Sequence, residues 1–215
     1  MHPKELYEIL FKHFGPQHWW PGDSPFEIAV GAILTQQVAW KNVERAIGNL
    51  KKADCLCPEC IADSDSLEEL IRPAGFFNQK ARYLKGFCLH LLDKHQGSVE
   101  KLLEQPLETA RKELLQLKGI GPETADSILL YAGNHPSFVV DAYTIRVGNR
   151  MGLFSSTKYE EVKEYFEKQL EPDAELYNEY HALFVALGKD YCTARRPRCG
   201  VCAVKSGCKF GSGKE

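Results

Sequence analysis

Leu117-Lys118-Gly119-Ile120-Gly121-Pro122-Glu123-Thr124-Ala125-Asp126 is the stretch on which the fold turns. A run of helical periodicity, Leu107 to Leu115, precedes it, and another, Ile128 to Ala132, follows. The stretch therefore joins two helices through a Gly-Ile-Gly hairpin. Glycines there permit positive φ and let the backbone approach a ligand closely, and Pro122 sets the first turn of the second helix, whose free N–H groups face outward. A helix terminus of this kind attracts a phosphate. A plain helix–helix turn accommodates Gly-x-Gly equally well, so the hairpin acquires meaning from the residues around it.

Outward from the hairpin, apolar residues keep helical spacing: Val43, Ala46, Ile47, Leu50; Ala81, Leu84, Cys88, Leu91; Leu176, Tyr180, Leu183, Leu187. Strand-like alternation is almost absent. Ser24-Pro25-Phe26-Glu27 combines a capping box with proline at the first helical position, and Ser66 to Glu69 and Thr157 to Glu160 repeat the box spacing. The segment after Ser24 is apolar all round, which predicts a central buried helix. Phe138-Val139-Val140 is the only extended candidate, too short to found a sheet. The pattern predicts an all-α protein of about ten short helices, with a soft boundary near Gly133-Asn134-His135-Pro136.

The chain has 215 residues, 44% apolar and 26% charged, with 27 Lys+Arg against 29 Asp+Glu. This is the composition of a globular protein of one large or two small domains, and it excludes collagen-like and low-complexity readings. A net charge of −2 gives no global signature of a nucleic-acid binder, so any such partner must be met by a local surface. The first residues mix acids and bases where a signal peptide needs an apolar run, and no apolar run is long enough to span a bilayer. The expectation is a cytoplasmic protein without membrane attachment. Eight cysteines fall in two clumps, and in a reducing cytosol they are expected to be metal ligands or inert thiols rather than disulfides.

After the hairpin come Val139-Val140-Asp141-Ala142-Tyr143-Thr144-Ile145-Arg146-Val147 and then Cys192-x6-Cys199-x2-Cys202-x5-Cys208. Hairpin, Val-Asp pair and cysteine spacing, in this order, resemble the helix-hairpin-helix (HhH-GPD) DNA glycosylase superfamily that includes endonuclease III and the adenine glycosylases. The resemblance runs from about Phe26 to Cys208. It implies an all-α, two-lobed fold: a six-helix barrel lobe over 24–134 containing the helix-hairpin-helix at 107–132, and a second helical lobe from 1–23 plus 135–215 with a C-terminal 4Fe–4S cluster loop. It also implies that Cys192, Cys199, Cys202 and Cys208 bind the cluster. Read physically, four thiolates suit one iron–sulfur cluster, whereas zinc sites more often pair short Cys-x2-Cys units across a longer gap. Lys189, Arg195, Arg196, Arg198, Lys205 and Lys209 surround these cysteines with one acid, Asp190. They make a local basic surface, or counter-charge for an anionic cluster. Cys55, Cys57 and Cys60 have no counterpart in that pattern and read as reduced surface thiols, with a second metal site as the lesser alternative.

By the same resemblance Asp141 is the catalytic carboxylate, placed to stabilise positive charge on the sugar as an N-glycosidic bond breaks; a helix-capping Asp is the plainer alternative. Glu123 stands where bifunctional members carry the lysine that attacks the sugar and forms a Schiff base. A carboxylate cannot form an imine, so a monofunctional enzyme is implied unless Lys118 or Lys80 takes the role. Trp19-Trp20-Pro21, Gly31 to Gln37 with Trp40, and Arg72 to Ala81 resemble the bacterial 3-methyladenine DNA glycosylase branch. That likeness implies a pocket for the flipped base lined by Trp19, Trp20, Pro21 and Trp40, where indoles hold a cationic alkylated purine at about 0.5–2 kcal/mol per contact. It implies that Gln36 fills the vacated stack and Phe76 wedges beside it, with Lys118, Gly119 and Gly121 on the DNA backbone. The plainer alternatives are a helix C-cap for Gln36 and core packing for Phe76. The branch's pocket lysine has no match in this chain. The expected protein is a monomeric glycosylase of the bacterial or archaeal cytosol or nucleoid that removes alkylated purines, chiefly 3-methyladenine, from damaged double-stranded DNA. The alternatives are an endonuclease III-like glycosylase and AP lyase acting on oxidised pyrimidines or mismatched bases, and a non-catalytic iron–sulfur DNA-binding or redox-sensing module.

Overall fold

The computed structural model describes residues 1–213, and among them regular structure is entirely helical. Thirteen α-helices run in chain order: α1 Pro3–Phe14, α2 Pro25–Leu34, α3 Trp40–Lys52, α4 Pro58–Asp63, α5 Leu67–Leu70, α6 Phe77–His95, α7 Val99–Leu103, α8 Leu107–Leu115, α9 Pro122–Ser127, α10 Ala142–Met151, α11 Tyr159–Glu167, α12 Ala174–Asp190 and α13 Lys209–Ser212. The surplus over the ten expected comes from one-turn pieces such as α5 and α13, too short to leave a periodic signal. No helix among the described residues is long and apolar enough to cross a membrane. The chain forms two compact units, one from Pro21–His135 and the other from Met1–Trp20 with the segment from Pro136 onward.

The Pro21–His135 unit is organised on α2. Ser24 Oγ accepts the Glu27 N–H at 3.2 Å, and Pro25 begins the helix. The Glu27 carboxylate reaches back to the Asp23 N–H at 3.2 Å rather than to that of Ser24, and pairs with Lys51 Nζ at 2.8 Å. Every residue of α2 except Pro25 and Ile28 is buried, which is why its sequence has no polar face. It packs on α3, α6, α7 and α9 and on the π turn Ile128–Ala132 that continues α9. Of the three predicted capping boxes, the first keeps only its Ser24 half and the other two do not form. Ser66 makes no side-chain cap. Thr157 lies outside α11, whose entry is instead braced by Ser156, its Oγ accepting the Lys158 N–H and donating to Glu161.

The first cysteine clump also departs from expectation. Cys55 is buried and disulfide-bonded to Cys60, leaving Cys57 the free thiol of the three. A turn at Asp54 (φ +49°) folds Cys55 back against the start of α4, so the two Cα atoms come within 5.1 Å, inside bridging range. Cys57 caps α4, its Sγ accepting the Cys60 N–H at 3.4 Å.

The other unit has an aromatic core. Phe138 stacks on Phe166 at 4.4 Å and Tyr180 on Phe184 at 4.9 Å, with Tyr177 at the edge of Phe138. The Tyr180 hydroxyl donates to the buried Pro3 carbonyl at 2.7 Å and fixes α1 against α12. Phe138-Val139-Val140 is buried but pairs with no strand. Side chains take its backbone donors instead: the Phe138 N–H goes to Glu167 Oε1 at 2.9 Å and the Val140 N–H to the Tyr159 hydroxyl at 3.4 Å. This segment delivers Asp141 to the start of α10.

Candidate functional site

Asp141 is the N-cap of α10. Its Oδ1 accepts both the Thr144 N–H at 2.7 Å and the Thr144 hydroxyl at 2.9 Å. Its Oδ2 faces His181 Nε2 of α12 at 3.5 Å, and the side chains are 12% and 7% exposed. Burial pushes the carboxyl pKa up, but the hydrogen bond and charge of His181 and the two Thr144 bonds outweigh it, so the net shift is below the ordinary carboxylate value. Capping and chemistry are thus compatible: one oxygen is committed to the helix while the other looks towards an imidazole. Trp19 stands edge-on to His181, with ring centroids 6.4 Å apart, and to Trp20 at 6.1 Å. The Trp19 indole N–H is buried with no hydrogen-bond partner among the described residues. Pro21 begins the other unit. Nothing in the sequence pattern singled out His181, which reads as one more residue of an amphipathic helix.

Arg146 and Arg150, on one face of α10, were likewise unmarked. Arg146 donates to the carbonyls of Cys192 at 2.8 Å and Gly188 at 3.0 Å; Arg150 donates to those of Thr193 and Ala194, each at 2.8 Å, and to Cys192 Sγ at 3.3 Å. The helix capped by Asp141 therefore also holds the cysteine loop. Cys192, Cys199, Cys202 and Cys208 all line one cavity, whose remaining wall includes apolar Val147, Met151, Leu187 and Val204. Cys208 Sγ accepts the Gly211 N–H at 3.3 Å. Four half-buried thiols converging on an apolar cavity, with Arg150 and an amide directed at sulfur, fit the donor set and surroundings of an iron–sulfur cluster. Lys189, Arg195, Arg196, Arg198, Lys205 and Lys209 are all exposed around it.

In the Pro21–His135 unit the hairpin is tightly specified. Gly119 has φ +92°, and a Cβ there would lie 2.2 Å from the Tyr83 ring, so only glycine fits. Gly121 has φ −91° and caps α9; a Cβ on it would meet nothing, which leaves that face of the backbone open to an approaching ligand. Lys118 and Glu123 are exposed. Across the hairpin Arg111 of α8 grips fully buried Asp126 of α9, Nε to Oδ1 at 2.8 Å and Nη2 to Oδ2 at 3.1 Å. Removing either partner would strand a buried charge.

Gln36 does not cap α2 with its side chain: its Nε2 donates to the Gly119 carbonyl at 2.8 Å and to Thr124 Oγ1 at 3.0 Å. The Gln36 backbone carbonyl in turn accepts from Lys80 Nζ at 2.8 Å, which also donates to Leu34 O at 2.7 Å and Ala74 O at 2.8 Å. Lys80 is 2% exposed and burial draws its pKa down to about 8. Three carbonyls match the three N–H of an ammonium, so Lys80 is an internal strut and not the free amine that a Schiff base needs. Phe76 is not core packing: it is 64% exposed and holds a left-handed conformation (φ +46°) at the head of α6, unusual for a bulky residue. Trp40 opens α3, half-buried, with its indole N–H on Glu44 Oε1 at 2.9 Å.

These features have known company. The sequence profile of the HhH-GPD superfamily base excision DNA repair proteins matches residues 30–172, and the chain belongs to that family. A candidate DNA repair glycosylase of Methanocaldococcus jannaschii is 48% identical over 209 residues, covering 95% of this chain and 94% of the relative. Among solved structures, a trapped endonuclease III–DNA covalent intermediate matches with TM-score 0.85 and 25% identity over 100% of this chain and 99% of the other. The 3-methyladenine DNA glycosylase of H. pylori bound to 1,N6-ethenoadenine matches with TM-score 0.77 and 31% identity over 88% of this chain and 98% of the other.

Proposed function

We infer that the protein is a monofunctional DNA glycosylase that flips alkylated purines, chiefly 3-methyladenine, out of duplex DNA and hydrolyses their glycosidic bond. The observation that carries the reading is Asp141, held ionised by His181 and Thr144 and standing with His181 beside Trp19. As the C1′–N bond breaks, its electron pair leaves with the purine, neutralising the ring's positive charge, and the sugar becomes oxocarbenium-like. The Asp141 carboxylate stabilises that cation, water adds to C1′, and its proton passes to the carboxylate. An already cationic base needs no strong general acid. Trp19 and Trp20 meet the flipped base in this reading, with the buried Trp19 N–H available to a base acceptor and the indoles supplying cation–π attraction.

Gln36 and Phe76 support the gap left by the flipped nucleotide, offsetting the few kcal/mol that unstacking costs. Lys118, Gly119 and the open backbone at Gly121 contact phosphates. Glu123 at the lyase position and the burial of Lys80 support hydrolysis that leaves an intact abasic strand. Cys192, Cys199, Cys202 and Cys208 hold a 4Fe–4S cluster, which when bound cross-links the C-terminal loop and sets its basic side chains towards DNA. The protein acts as a monomer in the cytosol or nucleoid.

A second reading, endonuclease III-like removal of oxidised pyrimidines, is favoured by the likeness to endonuclease III along the whole chain. Duplexes carrying 3-methyladenine or thymine glycol, assayed with and without alkali, separate the two. Release of 3-methyladenine with breaks only after alkali supports the first; breaks at thymine glycol without alkali overturn it.

A further inference from the structure

We propose that His90, His95 and Glu113 form a zinc site that staples the end of α6 to α8. His90 Nε2 lies 2.6 Å and His95 Nε2 2.5 Å from the same carboxylate oxygen, Glu113 Oε1, and the three ligating atoms all lie within 4.8 Å of one another. The side chains are 20%, 12% and 20% exposed, in that order, sheltered from bulk water yet reachable by an ion. Two imidazoles and a carboxylate are a donor set suited to Zn²⁺, which leaves a fourth, tetrahedral position for water.

The geometry is close to that needed. Ligand atoms on tetrahedral zinc, with bonds of about 2.0–2.2 Å, sit about 3.3 Å apart, so each imidazole nitrogen moves away from Glu113 Oε1 by less than about 1 Å on binding. His90 and His95 lie five residues apart at the end of α6, off the usual i,i+4 register, yet both Nε2 atoms meet Glu113 Oε1. The carboxylate is also oriented from behind, since Gln105 Nε2 donates to Glu113 Oε2 at 2.7 Å, as outer partners of metal ligands commonly do. α8 is the first helix of the hairpin, so the ion would tie the hairpin's base to the longest helix of its unit. The proposal is independent of which base the enzyme removes.

The test uses the full chain as isolated, with its cluster, treated with chelator and then dialysed against zinc. Wild type should bind one more zinc per chain, by elemental analysis, than His95→Ala and Glu113→Gln, and its Tm should rise about 5 °C in zinc at roughly a hundredfold over Kd, with no rise in either variant. Cobalt should give the visible bands of a tetrahedral nitrogen–oxygen site, without thiolate charge transfer. Glu113→Gln preserves side-chain volume and keeps a readout available should His95→Ala fold poorly. Equal zinc content in wild type and variants, or a cobalt spectrum dominated by thiolate, overturns the site.

Discussion

The side-chain amide of Gln36 donates to the carbonyl of Gly119 at 2.8 Å, so the turn after α2 and the glycine hairpin, separated by more than eighty residues of chain, are fastened to each other. Gln36→Ala removes this bond and the one to Thr124 and should lower stability by about 1–2 kcal/mol. Excision from duplex DNA should fall on the order of tenfold or more, because the hairpin loses its register against the turn. Urea unfolding and single-turnover excision check the two effects; a variant that unfolds earlier but excises normally would mean that the bond is structural only.

Lys80 supports the same junction from inside. Lys80→Met leaves three carbonyls without their donor and should cost about 2–4 kcal/mol, read from the urea midpoint. With Lys80 buried and Lys118 placed on the DNA backbone, borohydride should trap no covalent protein–DNA adduct with wild type.

His181 positions Asp141 electrostatically. A carboxyl with a depressed folded pKa adds stability above its unfolded pKa, near 4, and loses that contribution as pH falls through the folded value. In wild type, therefore, Asp141 stays ionised throughout pH 5–8. His181→Leu removes the imidazole and leaves burial acting upward against Thr144 alone, so the acid limb of the excision rate should move to higher pH. A structural role alone would lower the rate without moving the limb.

Phe76 has a strained backbone and an exposed ring. Phe76→Ala should change stability by no more than about 0.5 kcal/mol, yet slow excision of a stacked base more than that of the same lesion opposite a gap. Equal slowing on both duplexes would remove the wedge role.

Much of this was legible in the sequence because it is local. The all-helical class, α2 as an apolar centre, the hairpin and the Cys192–Cys208 spacing each follow from residues close together in the chain. Interactions over long sequence separations were hidden. Lys80 reads as a candidate amine until three carbonyls from two turns converge on it, and His181 reads as part of a helix until α10 brings Asp141 alongside. Phe138 to Val140 looks like a strand because the residue types are right; only the fold reveals that side chains satisfy its backbone. The Cys55–Cys60 bond was missed because compartment argued against disulfides while local turn geometry brought the two residues together.

The central claim is hydrolysis at an alkylated purine supported by Asp141 without strand cleavage. It is tested most directly by single-turnover release of 3-methyladenine from freshly methylated duplex by wild type and Asp141→Asn, with strand breaks scored before and after alkali. The account predicts release by wild type, breaks only after alkali, and at least a hundredfold slower release by Asp141→Asn, about 2.7 kcal/mol of lost transition-state stabilisation, with DNA binding retained. Release by Asp141→Asn at the wild-type rate, or breaks by wild type before alkali, would contradict it.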